Sequence, residues 1–416
     1  MTGQTELLTR RAQLLGPSYR VFYDEPVHLV RGEGVWLWDA DGKRYLDMYN
    51  NVPCVGHCHP RVVAALTAAA GTLNTHTRYL HEGVLDLAER LLGTMPAELG
   101  HVMFTCTGSE ANDLAIRVAK AATGGTGIIV TANAYHGVTE LIAGMSPSLG
   151  VGVPAGPGVY VVPAPVAGGK DVGERFADGV RAALAHMFED EIKPAALLVD
   201  TLFSSDGMVC DPPGFLAPAV AAVRAAGGVF IADEVQPGFG RTGVMWGFSR
   251  HGLVPDLVTM GKPMGNGHPI AAMAARPAVL ENFGKQARYF NTFGGNTVST
   301  AVARAVLEVI ASEGLLENAA TQGAYLLAGV RSLGSTRFGN TRGAGLYLGV
   351  DMIDANGAPD AAAAKRVVNG LRGRGVLIGA AGPHASSLKI RPPLPIDRAA
   401  ADFFLSALAD TLAELG

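Results

Sequence analysis

The sequence predicts an α/β protein: a large domain on a mostly parallel sheet, plus a small α+β domain. Three features predict it. Short apolar runs at 102–105, 127–130, 159–162, 196–199, 229–232 and 257–260 alternate with helical segments. Runs apolar throughout, rather than alternating, belong to strands covered on both faces, as in parallel sheets. From about residue 300 the pattern changes to a long apolar-periodic helix, two or three strands including 345–350, and a closing helix over 399–415. A chain of 416 residues is also long for one core, so two domains are expected: 60–300, and 1–59 together with 301–416.

Composition narrows the function classes. Apolar residues make up 48% and charged residues 17%, so a large core is within reach. The formal charge of −4 comes with no basic run, which argues against nucleic acid as a partner. No apolar stretch is long enough to span a bilayer, so no membrane partner is expected. The N-terminus has no apolar signal core, and Glu6 argues against a transit peptide. Four cysteines do not make a disulfide framework in a chain this long, and a cytoplasmic location is expected.

Along the chain, residues 1–20 read as a short helix and lead-in. The stretch 35–47 reads as a hairpin with Asp41-Gly42 as a type I′ turn. Cys54, His57, Cys58 and His59 crowd together, but the spacing does not suit zinc and no second ligand pair follows. A turn opening a helix from Arg61 is expected there instead.

Between 60 and 295 the chemistry-bearing residues sit where strands end, the ligand-binding edge of a parallel sheet. Thr107 and Glu110 make a capping box at the start of a helix. Gly108 and Ser109 leave N–H groups and a hydroxyl free for an anion there. Tyr135 follows the 127–130 run and reads either as a packing residue or as a ring to stack on a flat ligand. Asp200 is the only charge after the 195–199 run. Asp233 closes the 229–232 run and reads either as a loop cap or as a buried carboxylate that needs a cation. Lys262 ends the 257–260 run among Gly261, Pro263 and Gly265, on a turn that neither strand nor helix continues. Desolvation at such a place frees the amine as a nucleophile.

A phosphate cup, a stacking aromatic, a buried carboxylate and a desolvated lysine together describe a pyridoxal 5′-phosphate site. The residues that carry it, and the longer motifs around them, closely resemble class III (ω-type) aminotransferases. The motifs are 107–113, Ala134-Tyr135-His136-Gly137, 232–243, Gly261-Lys262-Pro263-Met264-Gly265-Asn266-Gly267-His268-Pro269 and Phe293-Gly294-Gly295-Asn296. The resemblance implies fold type I, with a seven-stranded sheet in the large domain. It implies that Gly108 and Ser109 bind the phosphate, Tyr135 stacks on the ring, and Asp233 pairs with the pyridinium. Val235 would pack beneath the ring, Gln236 would face its phenolic oxygen, and Lys262 would be the Schiff-base lysine. It further implies that Thr292 reaches the neighbouring subunit's cofactor, in a homodimer, or a tetramer built from it, with shared active sites.

Within the class, 261–269 and Asn50-Asn51-Val52 are most similar to the branch of alanine–glyoxylate aminotransferase 2 and the amino-phosphate phospho-lyases. Two departures concern the substrate. Asp200 stands where many relatives carry glutamate, and Lys389 where many place the arginine that holds a substrate carboxylate. Arg391 is either its replacement or a surface residue beside Pro392-Pro393. The expected activity is transfer of an amino group from a primary amine or amino acid to pyruvate, glyoxylate or 2-oxoglutarate. The alternatives are a phospho-lyase acting on phosphoethanolamine or a similar amino-phosphate, an aminomutase or racemase, and a non-catalytic cofactor-binding regulator.

Overall fold

The computed structural model describes residues 3–169 and 171–415; of the predicted N-terminal helix and small domain, residues 1, 2 and 416 lie outside the described residues. A helix over Gly3–Leu15 leads to three strands, β1 (Leu29–Glu33), β2 (Trp36–Asp39) and β3 (Arg44–Asp47). β2 and β3 form the predicted hairpin, with Trp36 opposite Leu46 and Trp38 opposite Arg44. Its turn is not type I′, which needs positive φ at both central residues. Only Gly42 has it, at +81°. Asp39 shapes the turn instead: its Oδ1 accepts from the N–H groups of Asp41 at 3.1 Å and Lys43 at 2.9 Å. β1 carries no strand signal of its own, because Arg31, Gly32 and Glu33 break any alternation.

The large sheet contains β4 (His101–Thr105), β5 (Gly127–Thr131), β6 (Val159–Val162), β7 (Pro194–Asp200), β8 (Val229–Asp233), β9 (Leu257–Met260) and β10 (Ala271–Ala275). They run in the order β4-β10-β9-β8-β7-β5-β6. The pairs from β9 through β6 are parallel, and β10 lies antiparallel between β9 and β4. β10 is the strand the apolar runs did not announce. Its sequence, Ala-Ala-Met-Ala-Ala, favours helix in isolation and is depleted in strands. All five of its residues are buried, under the helix Gly108–Thr123, and small side chains admit that helix closely. Register then sets the site: Asp200 pairs with Asp233, and Asp233 with Thr259, so three strand ends present polar side chains in a row.

The strands β11 (Phe338–Ala344), β12 (Tyr347–Met352), β13 (Val376–Leu377), β14 (Gly379–Ala381) and β15 (Ser387–Ile390) complete the chain. They form one four-stranded sheet, β11-β12-β15-β14, and complete another, β1-β2-β3-β13. The strand expected at 345–350 begins only at Tyr347, because Gly345 and Leu346 make the turn after β11. β13 lies parallel to β3, which joins the chain's two ends in one sheet. One apolar cluster runs from Leu46 and Val62 through Phe104, Phe230 and Val302 to Leu348 and Phe404. A second fills the other face of the large sheet, with Leu114, Ile128, Leu198, Ile231, Leu257 and Met273. Removing a fully buried leucine such as Leu198 to alanine typically lowers stability by about 2–5 kcal/mol.

Near the chain start, His57 Nε2 meets Asp47 Oδ2 at 2.8 Å, and His59 Nδ1 caps the helix Pro60–Ala70 by accepting from Arg61 N–H at 3.3 Å. Among the described residues no group of His, Cys, Asp and Glu is placed to hold a metal ion. Nor, among them, is any helix long and apolar enough to cross a membrane.

Candidate active site

A cavity of about 180 Å³ opens at the carboxyl ends of β7, β8 and β9. Its wall includes Gly108, Ser109, Tyr135, Asp200, Asp233, Val235, Gln236 and Lys262. The capping box predicted for its first wall is complete. Thr107 Oγ1 accepts from Glu110 N–H at 3.2 Å, and Glu110 Oε2 accepts from the N–H groups of Cys106 at 2.7 Å and Thr107 at 3.1 Å. These bonds satisfy donors beside the helix start and leave those of Gly108 and Ser109 to the cavity. Gly108 is required by packing: a Cβ there would lie 2.9 Å from both methyls of Val235. Gly137 is required by backbone and space together, with φ at +138° and Ser109 Oγ 2.4 Å from the position of a Cβ.

Asp233 is buried at the end of β8 and held by three donors. Its Oδ2 accepts from Asn112 Nδ2 at 2.9 Å and from His136 Nδ1 at 2.7 Å, and its Oδ1 accepts from Val235 N–H at 3.0 Å. A carboxylate offers only acceptors, so the imidazole hydrogen resides on Nδ1. Asn112 is itself fixed, donating also to the His136 carbonyl at 2.8 Å and accepting from Thr259 Oγ1 at 2.6 Å. Sequence reasoning assigned no role to Asn112, His136 or Thr259. A signal for Asn112 was present: it lies on the helix face of Ala115, Ile116 and Ala119, where a lone amide needs a partner.

Lys262 follows β9 on a short 3₁₀ turn, its Nζ 5.6 Å from the centre of the Tyr135 ring. Burial pushes its amine below the usual lysine range; Asp233 opposes this, Arg391 reinforces it, and Asp200 opposes it. The neighbouring Asp233 works against the shift by favouring the ammonium. Beside Asp233, burial and the Asp233 charge raise the Asp200 carboxyl, while hydrogen bonds from Ser204 and Leu202 and the Lys389 charge oppose the rise. Glu234, the next residue of the chain, turns away from the cavity. It accepts from Thr201 Oγ1, Gly247 N–H and Phe248 N–H at 2.7–2.8 Å, and burial raises its carboxyl to about 7.

Arg391 is buried, not a surface residue beside its prolines, and so is Lys389. Arg391 Nη1 donates to Gln236 Oε1 at 2.7 Å; Lys389 Nζ donates to the Ser204 carbonyl at 2.8 Å and reaches Gln236 Oε1 at 3.5 Å. Burial, reinforced by Arg391, carries Lys389 well below the usual lysine range. Lys389 and Arg391 do not line the cavity and meet it through Gln236, and Thr292 is not brought to it either. Thr292 lies exposed, next to Phe293.

The pattern of the family described as aminotransferase class-III matches residues 19–412. A Drosophila melanogaster protein named alanine–glyoxylate aminotransferase 2-like is 38% identical over 99% of this chain and 87% of its own length. Ethanolamine-phosphate phospho-lyase homolog 1 of Caenorhabditis elegans is 37% identical over 94% of this chain and 90% of its own. Among solved structures, a phospholyase from Arthrobacter in complex with phosphoethanolamine superposes with a TM-score of 0.95. It is 42% identical, over 99% of this chain and 100% of that one.

The residues present fit pyridoxal 5′-phosphate. N–H donors at a helix start suit its phosphate, the Tyr135 and Val235 side chains in the cavity wall suit its ring, Asp233 suits its ring nitrogen, and the Lys262 amine, its proton affinity lowered by burial, suits its aldehyde. The chain belongs to the class-III aminotransferases, pyridoxal-phosphate-dependent enzymes of fold type I.

Proposed function

We propose that the chain is a phospho-lyase that removes phosphate from a short primary-amine phosphate such as phosphoethanolamine, yielding inorganic phosphate, ammonia and an aldehyde with uptake of water. One observation carries this reading: the position where many class III transaminases place a carboxylate-gripping arginine is here Lys389, buried and committed to the Ser204 carbonyl. An ammonium is a point charge, not a two-pronged fork. A substrate without a carboxylate needs no such fork. The likeness to the Arthrobacter phospholyase supports the same reading.

The bound cofactor supplies an electron sink that makes the substrate's Cα–H acidic. In the proposed roles, Gly108 and Ser109 hold the cofactor's phosphate, Tyr135 and Val235 keep its ring flat, and Asp233 holds the proton on its nitrogen. Lys262 Nζ takes the Cα proton. The electron pair released at Cα then expels the phosphate from Cβ, and water converts the resulting two-carbon enamine to acetaldehyde and ammonia. With phosphoethanolamine and no keto acid, the loaded enzyme is expected to release phosphate over many turnovers. Alanine formed from pyruvate without phosphate release would instead establish amino transfer, the second reading, which the 38% identical aminotransferase 2-like relative favours. Pyruvate, glyoxylate and 2-oxoglutarate are the acceptors to try.

We also propose a homodimer with shared sites. Thr292 neighbours exposed Phe293, and large apolar side chains are also exposed at Tyr79 and Leu80, which a second copy would cover. In that arrangement Thr292 reaches the partner's cofactor phosphate. Thr292→Ala is expected to weaken cofactor retention about tenfold or more, as for loss of a hydrogen bond to a charged group. Dialysis against buffer with spectrophotometry measures it, and unchanged retention would remove the shared-site role.

A further inference from the structure

Gln236 has its amide between the cavity and a pair of cations. Its Oε1 accepts from Arg391 Nη1 at 2.7 Å and is approached by Lys389 Nζ at 3.5 Å. A guanidinium has donors and no acceptor, so the amide atom that faces it is necessarily the oxygen. The Gln236 NH₂ then takes the opposite direction. No acceptor takes it among the described residues, and Gln236 lines the cavity. Lys389 is the weaker of the two partners, with Nζ at 3.5 Å and its bond committed to the Ser204 carbonyl at 2.8 Å. The permanent cation is Arg391, locked in turn by its own backbone N–H donating to the Met48 carbonyl at 2.7 Å and by the Tyr49 and Tyr347 rings, with centres 5.0 and 5.7 Å from the guanidinium carbon.

We propose that Arg391 is a positioning residue that acts through Gln236, fixing the amide so that its N–H, and not its carbonyl, is presented to the phenolic oxygen of the pyridoxal ring. Lys389 seconds it. This rests on the cofactor assignment and on Gln236 facing that oxygen, but not on the choice between phosphate elimination and amino transfer. The clamp gives Arg391 work that has nothing to do with a substrate carboxylate, which explains how a buried arginine persists beside a site that needs no such grip.

The consequence appears in the resting enzyme. An N–H donor stabilises the anionic phenolic oxygen and weakens its hold on the neighbouring proton. Without the clamp the amide turns or swings free, that proton is held more tightly, and the pH midpoint of the visible absorbance rises. The other charged groups around the amide are Lys389 on β15, Asp200 at the end of β7, Asp233 at the end of β8 and Lys262 after β9. Asp200 and Asp233 act on the midpoint by charge, Lys389 by charge and through the amide, and Lys262 carries the titrating nitrogen itself, so a double-mutant cycle is needed to isolate the route from Arg391 through the amide.

The experiment titrates the visible spectrum of substrate-free holoenzyme for the parent, Arg391→Met, Gln236→Leu and the double variant. Arg391→Met and Gln236→Leu are each expected to raise the midpoint by about one pH unit. The double variant is expected to shift no further than Gln236→Leu alone. A full additional shift from Arg391→Met on the Gln236→Leu background means that the guanidinium acts through space, and overturns the proposal. So does an unmoved midpoint in Arg391→Met. If Arg391→Met fails to fold, Arg391→Lys keeps the charge but loses the two-pronged planar reach. It is expected to shift the midpoint too, and a parental midpoint there is equally fatal. No substrate is present, so the outcome is independent of which reaction the enzyme catalyses.

Discussion

Lys262→Ala is expected to abolish turnover and to remove the visible absorbance of the bound cofactor while leaving the fold intact. Two losses coincide at one atom. The amine proposed to join the cofactor's aldehyde is gone, and so is the base proposed to move the substrate's Cα proton; the second loss alone is worth roughly 10²–10⁴ in rate. Stability is expected to hold or rise slightly. Burial lowers the Lys262 proton affinity because the amine sits where solvation is poor, and alanine removes the cost of burying that polar group. Borohydride reduction followed by peptide mapping checks the assignment directly. The parent should yield a pyridoxyl-lysine peptide containing Lys262, and the variant none. A variant that kept the colour and the activity would place the reactive amine elsewhere, and the site described here would no longer be the active site.

Much of this site was legible because its chemistry is written at strand ends. Asp233 and Lys262 are isolated charges closing apolar runs, and the parallel register that puts Asp233 between Asp200 and Thr259 follows from the alternation of strands and helices. The capping box at Thr107 and Glu110 was legible because it is local, made by residues three apart. What escaped was non-local or carried by unremarkable residues. β10 is written in alanine, whose own preference is helical, and becomes a strand only because β4 and β9 flank it. His136 and Asn112 meet Asp233 across sequence separations of 97 and 121 residues, which no local pattern encodes. The burial of Arg391 was hidden for the same reason: its prolines suggest a surface turn, but Gln236, far away in sequence, is what holds it inside.

Asp233→Asn is expected to keep some cofactor and slow removal of the substrate's Cα proton by about a thousandfold. At contact distance, an ion pair in a protein site of effective permittivity about 20 is worth about 4 kcal/mol, and about 1.4 kcal/mol is tenfold in rate. With a neutral partner the ring nitrogen no longer favours its proton, and the electron sink weakens accordingly. The three donors around Asp233 add a second effect. An asparagine has one oxygen and one NH₂, so it cannot accept from Asn112 Nδ2, His136 Nδ1 and Val235 N–H at once. His136 can adapt by moving its hydrogen to Nε2, which has no partner, but Asn112 cannot, because Thr259 Oγ1 and the His136 carbonyl fix its amide. One donor left facing a donor costs about 1–3 kcal/mol of stability. The two effects separate cleanly in the laboratory: the donor mismatch lowers the melting temperature with or without cofactor, whereas the lost charge lowers the single-turnover rate of the loaded enzyme. A variant that melts early yet reacts at the parental rate would leave Asp233 as a structural anchor and take the electron-sink role away from it.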